Sequence, residues 1–191
     1  MTLSENLDSN DHQININAAD TIDEQLLATA YDPAKIQQWL TTVLAYMDEQ
    51  MQAGLVLPYF EEIDPSLWQT KAKELDIYIT DSDEGRELNL EARGKDYATN
   101  ILSYPSELPP FILAEMPTLP LGELIICHTV VEQQAVEQGK PLADHITHLI
   151  VHGILHLLGF DHELGATEQT EMEGFEIAIL AQLGVADPYQ D

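Results

Sequence analysis

The sequence predicts an α+β fold: a small mixed β-sheet of three to four strands packed with about five helices. Three observations predict it. Short apolar runs rich in β-branched residues, LDIYIT and GELIIC foremost, point to strands. Between and after them lie stretches whose apolar residues recur at helical spacing. At 191 residues, 45% of them apolar, the chain is long enough to bury a core without disulfides or other staples.

Residues 1–12, MTLSENLDSNDH, read as an acidic disordered tail, and 13–191 as a single domain. The tail lacks the basic flank and apolar stretch of a secretory signal, which predicts a cytoplasmic protein. HQININ alternates polar and apolar positions, so Gln13 to Asn17 is a strand. From Pro33, with Asp32 as N-cap, the spacing of Ile36, Trp39, Leu40, Val43, Leu44 and Met47 predicts an amphipathic helix to about residue 50. GLVLPYFEEIDPSLWQTK, with two prolines and scattered aromatics, reads as an irregular insertion without assignable chemistry. LDIYIT, residues 75–80, is a strand, and Asp81 or Ser82 caps a helix that Gly94 ends. ATNILSYP is a strand stopped by Pro105. Residues 105–122 read as a long loop, of a length that is often functional. GELIICHTV is a further strand, VVEQQAVEQGK a short helix ended by Gly139. Asp144 caps a helix to about Leu158, and Thr167 caps the last helix through Leu183.

With 34 acidic and 7 basic side chains the formal net charge is −27, which disfavours nonspecific binding to DNA, RNA or anionic membranes. Any attraction to nucleic acid must be local. Arg86, Arg93 and Lys95 lie close together in RELNLEARGK, while Lys140 stands alone in EQGKPL. No apolar run approaches the eighteen or so residues that span a bilayer. The one cysteine, Cys127, sits in an apolar run as a buried thiol and suits a reducing compartment.

The chemistry lies in VHGILHLLGFDH, residues 151–162. Four helical residues advance about 400°, so His152 and His156 project from one face and can share a metal, which makes this a zincin-like metal helix. Gly159 then ends the helix in a left-handed turn that returns the chain, so that His162 approaches as third ligand. Imidazoles on a borderline metal argue for one zinc ion, with nickel, copper or iron able to take the same ligands. Three protein ligands leave a fourth position open, the mark of a catalytic site. Where a zinc peptidase carries its glutamate base, this chain has Gly153. Neutral histidines also leave the ion's charge uncompensated, which suits an anionic phosphodiester better than a neutral amide.

His152–His162, together with ARGKDYATNILSYP from Ala92 to Pro105 and GELIIC from Gly122, closely resembles the bacterial YbeY endoribonucleases, the rRNA maturation factors. The resemblance covers roughly residues 75–188, including ADPY, and departs from the family pattern at Ala98 and Asn100. It implies a compact α+β fold, a zinc held by His152, His156 and His162, and cleavage of single-stranded RNA. The implied biology is 3′-end maturation of small-subunit rRNA and ribosome quality control. His152, Arg93 and Asp161 are the candidate catalytic residues. Arg93 either binds phosphate or complements a helix end; Asp161 either orients a histidine and accepts a proton or shapes the turn. His148, one turn before His152, is either a polar helix residue or a neighbour of the ligands. Expected partners are rRNA and the small ribosomal subunit, with a basic ribosomal protein and a ribosome-assembly GTPase, and neither DNA nor membrane. Two other readings compete. One is a metallopeptidase or other metal hydrolase whose base comes from elsewhere in the fold, from Glu123 or a carboxylate of the last helix such as Glu171. The other is an assembly factor whose metal serves stability.

Overall fold

A computed structural model describes residues 12–190. The predicted tail thus lies outside the described residues, apart from His12. Four strands, β1 (Gln13–Ala18), β2 (Lys73–Thr80), β3 (Ile101–Pro105) and β4 (Leu119–Cys127), form one mixed sheet in the order β1-β2-β4-β3. β1 and β4 both run parallel to β2, and β3 pairs antiparallel with β4 at the edge. The alternation read in LDIYIT becomes two chemically distinct faces. Leu75, Ile77 and Ile79 are at most 1% exposed, whereas Asp76 faces the other way and accepts from Asn15 Nδ2 at 2.8 Å.

Eight helices occur among the described residues: α1 (Glu24–Ala30), α2 (Pro33–Gln52), α3 (Pro65–Thr70), α4 (Ser82–Arg93), α5 (Pro110–Glu115), α6 (His128–Glu137), α7 (Leu142–Leu158) and α8 (Ala166–Gln182). The five longer ones are those the periodicity predicts. In α2 the residues of the apolar stripe are the buried ones, and Asp32 caps Ala34 N–H at 3.0 Å. α7 is the central helix. Its apolar residues enter one core cluster with α2, α8 and the sheet. No helix among the described residues is long and apolar enough to cross a membrane.

Several local expectations give way. α7 starts at Leu142 behind Pro141, whose fixed φ suits a helix start, so Asp144 lies inside the first turn rather than at the cap. α8 likewise starts at Ala166 behind Gly165, and Thr167 lies within it. His128–Val130, read as strand, open α6. The expected loop 105–122 contains α5 and the start of β4. α1 was missed because its seven residues include none that is fully buried. The insertion is not mere surface: Leu57, Phe60, Ile63 and Trp68 enter the core, α3 is capped by Asp64, and Trp68 Nε1 donates to Asp48 Oδ1 at 3.0 Å.

Candidate metal centre

From His145 to Leu158 every residue of α7 is buried except His148, His152 and His156, which recur every fourth position on one partly exposed stripe. Burial elsewhere fixes the helix rotation and therefore the direction of these rings. Gly153 lies on a face turned toward the sheet. A Cβ there would stand 2.7 Å from Leu124 Cδ2 and 2.9 Å from Ile101 Cδ1. The absent glutamate thus has a packing cause: position 153 faces β3 and β4, with no room for a carboxylate.

Gly159 (φ +108°) caps α7, and its N–H donates to His156 O at 3.0 Å. A Cβ there would also stand 2.8 Å from Pro58 Cβ. The glycine therefore admits both the turn and the close approach of the insertion, whose Tyr59 N–H donates to Leu158 O at 3.2 Å. The turn brings His162 back. Ring centroids of His152, His156 and His162 stand 4.6, 5.1 and 5.2 Å apart, and one ligand atom from each lies within 4.8 Å of the others. This group can hold a metal ion.

The donor chemistry fits such an ion. The Nε2 atoms of His152 and His156 stand 3.0 Å apart, and two nitrogens on one tetrahedral ion at ~2.05 Å would stand ~3.3 Å apart. Burial, then the adjacent His152 and His162, pushes the His156 imidazole down to about 4, so it is neutral and able to ligate. Nδ1 of His162 is buried without a hydrogen-bond partner among the described residues.

Behind the cluster stands a residue that sequence reasoning missed. Glu176 of α8 is 1% exposed, and its Oε1 lies 2.5 Å from His152 Nδ1. Tyr189 donates to its other oxygen, and His148 Nε2 lies 3.6 Å away. Burial opposes ionisation of this carboxyl, but the nearby His148 imidazole and the hydrogen bonds of His152 and Tyr189 outweigh it and hold it down at about 2. An ionised Glu176 accepts the Nδ1 proton of His152 and leaves Nε2 as a lone-pair donor beside His156. Of the open alternatives for His148, the structure gives a neighbour of the candidate ligand His152, with ring centroids 6.2 Å apart.

The rings border a cleft of about 480 Å³ whose walls include Arg93, Asp161 and Glu163 and, from β3, Ser103 and Tyr104. Asp81 caps α4 through the N–H groups of Asp83 and Glu84, and Gly94 ends it, which delivers Arg93 at the last helical position. Arg93 pairs with Glu163 at 3.8 Å, with the two side chains 44% and 63% exposed. Asp161 Oδ1 accepts from Glu163 N–H at 2.9 Å, so it shapes the turn as well as lining the cleft. Lys95, Glu123 and Glu171 are not among its walls, and the last-helix carboxylate that reaches the cluster, Glu176, bonds His152 from behind rather than lining the cleft.

Residues 21–184 match the family model described as Endoribonuclease YbeY. A Psychrobacter cryohalolentis protein named "Endoribonuclease YbeY" is 66% identical over 150 residues, covering 78% of this chain and 97% of its own. One of the same name from Psychrobacter arcticus is 68% identical over 139 residues, covering 73% and 68%. A solution structure from Thermotoga maritima aligns over 94% of this chain and 100% of its own at 19% identity and a TM-score of 0.47, so the assignment rests on sequence. The match begins well before residue 75 and takes in α2 and the insertion. The chain belongs to the YbeY endoribonuclease family.

Proposed function

We propose that this chain is a zinc-dependent endoribonuclease that cuts single-stranded RNA in the cytoplasm, with His152, His156 and His162 as ligands to one ion and residues 13–191 acting as one unit. The observation that carries the reading is the convergence of three imidazoles on one point of a cleft that Arg93 borders. When bound, the ion supplies Lewis acidity toward a phosphoryl oxygen.

The chain's own residues do the rest. Arg93 offers two parallel N–H donors to a phosphate and exchanges its weak contact with Glu163 for it. Glu176 fixes the His152 tautomer. Asp161 has Oδ1 engaged by a backbone N–H, which leaves Oδ2 to take a proton from the attacking hydroxyl. The family assignment supports RNA as substrate; within this reading the RNA is small-subunit rRNA, the setting its 3′-end maturation and ribosome quality control, and the partners a basic ribosomal protein and an assembly GTPase. Attraction of basic proteins to a chain of charge −27 is consistent with the partners.

Cleavage of a labelled single-stranded RNA, with and without chelator, tests the reading. The wild type should cut, chelation should stop it, and zinc should restore it. Arg93→Glu should lower the rate by about a hundredfold or more while metal content and melting temperature stay unchanged. RNA cleavage that persists after complete metal removal contradicts the proposal.

A further inference from the structure

A second cavity of about 340 Å³ adjoins the cleft, and His152, Asn100 and Ile101 stand in the walls of both. Its other walls come from α6, from the start of α7 and from the C-terminal segment. We propose that it is a second subsite for single-stranded RNA, holding a nucleotide on the far side of His152 from the Arg93 cleft. The proposal rests on the endoribonuclease reading. An enzyme that cuts internal bonds must accommodate chain on both sides of the scissile phosphate, and these are the two hollows that meet at the histidine cluster.

Charge supports the assignment. In a chain of net charge −27, attraction to phosphate needs local cations. Three of the seven basic side chains are committed elsewhere. Arg86 is paired with Asp96 at 2.6 Å, while Lys71 and Lys73 donate to backbone carbonyls. Arg93 borders the first hollow and Lys140 the second. Lys140 Nζ donates to Pro188 O at 3.0 Å, which leaves two of its three N–H donors for a phosphate.

The remaining lining suits a base rather than an apolar ligand. Gln134 engages Asn100 and His145 through Oε1, at 3.1 Å each, and keeps its NH₂ as a donor. Gln138 adds a second, exposed amide. His145 is 4% exposed, and its Nδ1 lacks a partner among the described residues. Tyr189 stays 43% exposed and offers ring surface. Amide groups that pair with base edges, beside an aromatic ring for stacking, are the means by which proteins read unpaired RNA.

The test compares the metal-loaded wild type with Gln138→Ala/Lys140→Gln, on a long single-stranded oligoribonucleotide and on a trinucleotide. On both substrates the variant should raise KM about tenfold and change kcat less than about twofold, because every cut needs a nucleotide on each side of the scissile phosphate; the pair Gln133→Ala/Lys35→Gln, outside both hollows, should leave KM unchanged. Gln138→Glu repeats the test by adding negative charge at the exposed end of α6 without touching the Lys140 contact. No rise in KM for Gln138→Ala/Lys140→Gln, or an equal rise for Gln133→Ala/Lys35→Gln, would overturn the subsite. Binding followed by fluorescence anisotropy separates the two levels. A wild type that binds long RNA through Gln138 and Lys140 yet cuts nothing keeps the subsite and refutes the endonuclease. A wild type that neither binds nor cuts refutes both.

Discussion

Glu176 lies 24 positions from the histidine that it orients, so no local spacing announces it. Its carboxylate is buried in a chain with abundant acidic groups on the outside, and three neighbours explain why it stays charged there: His152, His148 and Tyr189. Partners of this kind, bonded to the far nitrogen of a metal-binding imidazole, typically contribute a factor of about 10 to 100 in metal affinity. Glu176→Gln keeps the shape and removes the charge. It should weaken zinc binding by about tenfold or more, measured by competition with a chromophoric chelator, with the circular dichroism spectrum unchanged. An unaltered zinc affinity would mean that packing alone holds His152 in place.

α7 bears both the site and the largest share of the core, and the sequence shows the first role more readily than the second. Histidine spacing and the apolar stripe of α2 are local patterns, and both were legible in advance. The reason for Gly153 was not, because it depends on Leu124 and Ile101, which a distant strand pair brings up against the helix. The same holds for the insertion, where Leu57 and Trp68 lack periodicity yet are 1% and 2% exposed. Caps were misplaced by two or three residues where Pro141 and Gly165, rather than a side-chain acceptor, set the helix start. The tight approach at Gly153 gives a direct test. Gly153→Ala gains helix propensity of roughly 1 kcal/mol but pushes a methyl group into the side chains of β3 and β4. Overpacking at that distance costs about 1–3 kcal/mol, so the net effect in urea unfolding should be destabilising. A stabilised Gly153→Ala would show that α7 has slack against the sheet.

A net charge of −27 sets how this molecule meets a polyanion. Proteins that hold nucleic acid over a broad basic surface release many counterions, and their affinity falls steeply as salt rises. Here few cations face the proposed strand: Arg93 at the cleft and Lys140 at the second cavity. Two phosphate contacts on a single strand give a slope of log affinity against log salt of about −1.4. Screening of the surrounding carboxylates acts in the opposite direction, because salt weakens their repulsion of RNA along with the attraction of the cations. The measured slope for a single-stranded oligoribonucleotide, taken in chloride without chelator, should therefore lie between zero and about −1.5. Lys140→Gln should flatten it by about 0.7 and Arg93→Gln by a similar amount. A slope steeper than about −4 would require a basic surface larger than these two side chains supply. Specific recognition would then rest on more than the meeting of two small hollows at one histidine cluster.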